Sequence, residues 1–250
     1  MFPIGDENTH STTPLLNYLL IAANAAVFFL LQGGGNNDFT YAFSTVPQEI
    51  VSGEDQVTPG RIVVDPASGQ RFRAPGLQPT PVPVYFTLLT AMFMHGGLMH
   101  LFGNVLYLWI FGDNLEHALG RARYLGFYIA CGLLAGLAHV WATVTFGDNP
   151  MAPSLGASGA ISGVQGGYIL LYPHNRVRVI MFRMLTTVPA WVAIGLWFVF
   201  QVISGAGTLG RGGQGGVAYA AHIGGFLAGV ALVKVFASGR ERQQIRSGRY

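Results

Sequence analysis

The sequence predicts an all-α polytopic membrane protein, a six-helix bundle with a long first outer loop. Three observations lead there. Of 250 residues, 51% are hydrophobic and only 10% charged, where a soluble domain has about a quarter charged. Mean hydropathy is +0.42. Apolar runs recur along the whole chain with no linker dividing them, and the cationic residues fall between the runs with a marked bias.

Taken in order, Thr13-Pro14 reads as N-cap and first helical position, and "LLNYLLIAANAAVFFLLQ" then runs apolar to Gly33-Gly34-Gly35. No basic n-region precedes this first span, and Asp6 and Glu7 stand ahead of it, which favours a retained helix over a signal peptide or mitochondrial presequence. Residues 34–81 are polar and rich in Pro, Gly and Asp, a large loop in which "RIVVDPASGQRFR" suggests a β-hairpin. "VYFTLLTAMFMHGG" is too short to span and reads as an interfacial or re-entrant helix. The second span is "LMHLFGNVLYLWIFG"; the third runs from Ala122 to Phe146, the fourth from Ser158 to Tyr172, the fifth from about Leu185 to Ser204, and the sixth from about Val217 to Phe236.

Six spans put both termini on one side. With the termini cytoplasmic, Arg121, Arg123, Arg176, Arg178, Arg183, Lys234, Arg240, Arg242, Arg246 and Arg249 lie inside and only Arg61, Arg71, Arg73 and Arg211 outside, in accord with the positive-inside rule. Residues 1–13 are then a short cytoplasmic N-terminus, 14–238 the helical domain with 34–98 as its outer loop, and 239–250 a basic tail. The pI near 9.2 comes from these loop arginines rather than from a basic stripe with aromatics, so the lipid bilayer, and no nucleic acid, is the expected partner. The one cysteine, Cys131, lies in an apolar run and reads as packing.

The fourth span is short. Fifteen residues make about 22 Å of helix against a hydrocarbon core of about 30 Å, so Ser158 begins below the outer surface and "DNPMAPSLGA" dips in as irregular backbone. That is tolerated only in protein or beside water. Polar groups in spans are costly and point to function; here they are His100, Asn104, His139, Ser158, Ser162 and His222. A serine needs a base, and His222 lies at similar depth. His100 and Asn104, spaced i and i+4, share one helix face. Together with the Ser158 N–H at a helix start they can meet a developing oxyanion. Gly159, Gly163 and Gly167 on the fourth helix, with Gly225 and Gly229 on the sixth, form small-residue faces that allow backbones to touch. The alternative is that these small and polar residues serve packing alone, as is expected of His139, His10, His117 and His174, and of Ser162 as a hydrogen-bonding packer.

These residues resemble the rhomboid family of intramembrane serine proteases, bacterial type. "HGGLMHLFGN" at 95–104, "GASG" at 156–159 and "AHIGGFLAG" at 221–229 occur in the family's order, and "FGDNLEHALG" is also similar. The resemblance implies a cofactor-free, metal-free Ser158–His222 dyad, with His100, Asn104 and the Ser158 amide at the oxyanion. It implies structural roles for Gly156 and Gly159 at the loop-to-helix turn, Gly225 and Gly229 in helix contact, His95 in the loop before the second helix, and Glu116 as an anchor. It further implies transmembrane protein substrates entering beside the fifth helix, a small residue before the cut, a mobile glycine-rich cap at 204–222, and a bacterial inner membrane. Where some members carry a histidine-stacking tyrosine this chain has Ser162, so His222 must be oriented differently. No HExxH and no paired intramembrane aspartates are present, since Asp113 and Asp148 sit at span ends. The alternatives are a non-catalytic relative that binds transmembrane helices and a transporter, for which the expected inverted repeats are absent.

Overall fold

The computed structural model describes residues 1–7, 13–64, 71–146, 149–182, 184–208 and 219–237. Strand β1 (Phe2–Asp6) precedes helix α1 (Leu15–Ala26), which runs on through a π-helical turn at Val27–Leu31. Two short helices follow, α2 (Asp38–Phe43) and α3 (Pro47–Ser52), then the hairpin β2 (Arg61–Val64) and β3 (Arg71–Ala74). Helix α4 (Thr87–Thr90) is flanked by 3-10 turns and leads into α5 (Leu98–Leu119), α6 (Arg121–Phe146) and α7 (Ser158–Leu171). Strands β4 (Arg176–Met181) and β5 (Met184–Pro189) then precede α8 (Ala190–Thr208) and α9 (Tyr219–Phe236).

The protein is an integral membrane protein. Helices α6, α8 and α9 are long and apolar enough to cross a bilayer, and the pair Val84–Phe93 and α5, bent by 79°, makes a fourth candidate. The bend fits the re-entrant reading of "VYFTLLTAMF". Leu15–Leu31 is a shorter apolar helix, and α7 has 14 residues. Outward faces carry large apolar side chains such as Leu30, Trp141, Phe200, Leu227 and Val235, as lipid contact requires.

Helices α7 and α9 sit at the centre and touch through glycine. A Cβ on Gly225 would lie 2.1 Å from Gly159 O, and one on Gly229 2.0 Å from Gly163 O. Gly166, which the every-fourth-residue pattern does not include, also faces α9, its Cβ position 2.2 Å from Phe226 O. Gly163 packs on buried Cys131, so the cysteine fills space as expected. Glu116 anchors α1, its two carboxylate oxygens accepting from the N–H groups of Leu16 (3.2 Å) and Asn17 (2.7 Å). Those are orphan donors of the first helical turn, where an anion is also favoured by the helix dipole.

The all-α expectation is corrected: the chain is mostly helical but carries a three-stranded antiparallel sheet in the order β1-β4-β5, besides the expected hairpin. In β4, Arg176 and Arg178 point out while Val177 and Val179 are fully buried, a period-2 pattern that decides strand over loop. The helix expected from about Leu185 instead begins at Ala190, because Thr186, Thr187 and Val188 are β-branched and pair along β4. Residues ahead of Thr13 supply β1, which pairs Phe2 with Ile180. Residues 65–70, most of the expected cap, Asp148, Arg183, His10 and the basic tail lie outside the described residues.

Asp6 latches β1 to the bundle. Its carboxylate accepts hydrogen bonds from Tyr168 Oη and, at 2.8 Å, from Asn114 Nδ2. Burial nonetheless pushes its pKa up to about 7, and nearby Asp113 adds to the rise. A carboxyl whose folded pKa is raised holds its proton better when docked. Docking is thus strongest below about pH 4 and weakens as pH rises through about 7. Intrinsic-rate-corrected amide exchange of residues 2–6 is expected to quicken about tenfold between pH 5 and 8, a figure discounted for partial exposure. In Asp6→Asn the dependence should vanish; an unchanged slope would exclude Asp6 as its source.

Candidate active site

Gly156 has φ +131°, and its N–H donates to Ala91 O at 2.8 Å. Only glycine adopts that backbone readily. The turn delivers Ser158 as the first residue of α7, where the N–H groups of the first turn are unpaired within the helix and lie at its positive end.

His222, on the first turn of α9, places Nε2 2.8 Å from Ser158 Oγ. Its Nδ1 lies 2.8 Å from Gln201 Oε1 on α8. An amide oxygen only accepts, so Nδ1 carries the ring proton and Nε2 presents its lone pair to the serine hydroxyl. Gln201 is 6% exposed, and Trp197 sits 6.1 Å from the imidazole between ring centroids, inclined by 37°. These two α8 side chains orient His222 where Ser162 cannot. Ser162 instead donates to Ser158 O at 2.6 Å, the packing bond expected of it. Nothing in the spacing of Gln201 names His222 as its partner. The one signal was a lone amide within "LWFVFQVISG".

Gly96 N–H donates to His100 Nδ1 at 3.3 Å, which leaves Nε2–H as the donor. The position of a Cβ on Gly156 is 2.9 Å from His100 Nε2 and 3.6 Å from Ser158 Oγ, so one small space is shared by serine and imidazole. Asn104 is buried and its Nδ2 has no hydrogen-bond partner among the described residues. Both residues line, with Ser158 and His222, a cavity of about 1090 Å3. An uncommitted donor there suits a developing negative charge.

Other site residues fall as support or apart. His95 is fully buried, its N–H donating to Gln32 Oε1 (2.9 Å) and its carbonyl accepting from Gln32 Nε2 (3.0 Å), with its ring edge-on to His100. It ties the end of α1 to the loop that leads into α5, the helix carrying His100. Gly159, Gly225 and Gly229 set the α7–α9 approach that brings Ser158 and His222 together, and Gly159 also abuts Ala135. Glu116 lies away, at the opposite end of α5. His139 lines the cavity wall.

The Rhomboid domain family matches residues 83–239. Rhomboid protein 1, mitochondrial, of Saccharomyces cerevisiae is 33% identical over 181 residues, covering 70% of this chain and 49% of that protein. Rhomboid protease GluP of Bacillus subtilis is 30% identical over 224 residues, 88% of this chain and 35% of that protein. The human presenilin-associated rhomboid-like protein, mitochondrial, is 30% identical over 126 residues, 46% of this chain and 32% of that protein. The chain thus spans half or less of the length of these relatives. The family match takes in more than half of the chain, with Ser158, His222, His100, Asn104 and Gln201 inside it, and on that ground the chain belongs to the rhomboid family.

Proposed function

We propose that this protein is an intramembrane serine endopeptidase that cleaves single-span membrane proteins in or near their transmembrane segment. The observation that carries this reading is the 2.8 Å approach of His222 Nε2 to Ser158 Oγ within a cavity among apolar helices. Ser158 Oγ attacks the peptide carbonyl while His222 Nε2 takes its proton. The carbonyl π pair moves to oxygen, and that oxyanion is met by the Ser158 N–H, His100 Nε2–H and Asn104 Nδ2. Collapse breaks the C–N bond, and His222 returns the proton to the leaving amine. Water, deprotonated by the same imidazole, then cleaves the acyl ester and regenerates the serine. The cycle requires no cofactor.

Gln201 is a positioning residue in this scheme, holding the tautomer in which Nε2 is free to act as base. Gln201→Leu is expected to lower kcat by about 10- to 100-fold with KM unchanged. Gln201→Glu, which accepts the same N–H, should recover most of that loss. A change in KM alone, or no rescue by glutamate, would reduce Gln201 to packing.

Six crossings, both termini cytoplasmic and a bacterial inner membrane complete the proposal. They require Leu15–Leu31 and α7 to cross as short helices, which the irregular 149–157 segment before α7 accommodates. A fluorophosphonate, which esterifies only an activated serine, tests the dyad directly. Labelling is expected at Ser158 in the wild-type protein and should be lost in His222→Ala. Undiminished labelling in that variant would contradict the assignment of His222.

A further inference from the structure

The sheet β1-β4-β5 leans back along α8, between it and α5. Arg176 of β4 pairs with Pro189, and α8 begins at the next residue, Ala190. At the other end of the sheet, Met1, Pro3 and Val179 line a cavity of about 370 Å3 with Ala193, Trp197 and Phe200 of α8. Phe200 lies ten residues, about 15 Å, inside α8, which is long and apolar enough to cross the bilayer. The Met1 end of the sheet therefore reaches the depth of the middle of that helix, while the Arg176 end stays at the level where the helix starts.

Side chains alternate across the strands, and Val177 and Val179 take the face against the bundle. The opposite face is open. Cross-strand pairing sets Phe2, Ile180 and Leu185 in a row across it, and all three are exposed, Leu185 by 67%. Phe182, in the turn beyond them, is 88% exposed. On the same face, toward the start of α8, come Arg178 and Arg176. Both are exposed, and neither guanidinium has a carboxylate oxygen within 4 Å among the described residues. Arg176 Nη2 donates to Thr187 Oγ1 at 3.0 Å. Arg178 crosses over β1, its Nη2 2.7 Å from the Cβ position of Gly5 and 3.5 Å from Asp6 O. With five N–H donors on each guanidinium, both keep donors to spare.

We infer that this face binds an anionic phospholipid of the surrounding leaflet, with its phosphate on Arg176 and Arg178 and an acyl chain along Phe2, Ile180 and Leu185. Four strand residues separate Ile180 from Arg176, about 13 Å, so the row lies among acyl chains when the cations lie at the headgroups. A row of that size is a liability in water and a resting surface in hydrocarbon. Cations at the edge of hydrocarbon need counter-charges, and arginine meets phosphate with two parallel N–H bonds. Two such cations side by side favour a headgroup of net negative charge over a zwitterionic one, whose own cation they repel. A lipid across the row covers β1, β4 and β5 together and fastens the distant β1 to the hairpin. The site is independent of the proteolysis proposed above and would serve a non-catalytic chain equally.

The test titrates the purified protein in detergent with dioleoylphosphatidylglycerol or dioleoylphosphatidylcholine and reads bound lipid by native mass spectrometry. The first phosphatidylglycerol is expected to bind about tenfold tighter than phosphatidylcholine. Arg176→Gln combined with Arg178→Gln should remove that preference. Arg61→Gln combined with Arg71→Gln, which deletes the same charge from the β2–β3 hairpin, should keep it. Glycerol phosphate, a headgroup without acyl chains, should not compete even in large excess. The wild-type protein supplies a second readout that no variant's folding can spoil. In nanodiscs at one pH, exchanging about a third of the phosphatidylcholine for phosphatidylglycerol should slow amide exchange of residues 2–6 and 176–181 by about threefold or more. Equal binding of the two lipids, equal loss of preference in both double variants, competition by glycerol phosphate, or unchanged exchange would each overturn the site. A dimer joined through this face in place of a bound lipid would overturn it too, and would give the face to a second copy of the chain.

Discussion

Ser158→Ala and His222→Ala proteins are expected to leave a single-span reporter substrate intact under conditions where the wild type cuts it, with kcat/KM lowered by about 10⁴-fold or more. Removal of either member of a unit that works together costs nearly as much as removal of both, so the double variant should be no worse than the singles. Each substitution only deletes atoms at a half-buried position. Both proteins should therefore melt in detergent near the wild-type temperature, which separates lost chemistry from lost fold. Asn104→Ala removes one oxyanion donor and should cost about 10²-fold. Cleavage by Ser158→Ala at more than a few per cent of the wild-type rate would return "GASG" to being a packing motif.

Gly229→Val and Gly225→Val are expected to destabilise the protein severely and to abolish cleavage, although neither residue touches substrate. Backbone oxygens of α7 lie 2.0 and 2.1 Å from where a Cβ would stand, and a helix backbone cannot rotate aside as a side chain does. Relief requires α9 to move away from α7. That separation breaks the 2.8 Å contact between His222 and Ser158 and opens the centre of the bundle, an overpacking cost of about 3 kcal/mol or more. Gly195→Ala is the control, since nothing lies within 4 Å of its Cβ position. Equal melting temperatures for Gly229→Val and Gly195→Ala would show that the α7–α9 contact is not what holds the dyad together.

Much of the site was legible because a membrane makes polar residues conspicuous. Ser158, His222, His100 and Asn104 stand out as polar groups in apolar runs, and the fourth-residue spacing of Gly159, Gly163, Gly225 and Gly229 marks which helix faces meet. The shortness of α7 likewise followed from counting residues against bilayer thickness. Gln201 escaped because one amide in a long apolar helix names no partner; that it meets Nδ1 of His222 depends on how α8 rotates against α9. Gly166 escaped because a strict repeat omits it, whereas the crossing of α7 over α9 brings it in.

The sheet was missed for a related reason. Val177 and Val179 alternate with arginines, yet a strand is stable only when paired, and its partners are β5 and the distant β1 near the chain start. By itself the sequence determined the membrane class, most of the helices, the small-residue faces and which polar residues stand in apolar runs, all properties of composition and local spacing. Only the tertiary structure decided the tautomer set by Gln201, the latch at Asp6 and the row that joins Phe2 to Ile180 and Leu185. Each depends on contacts between segments far apart in the chain, and hydrogen bonding is sensitive to ångström differences in how helices are placed.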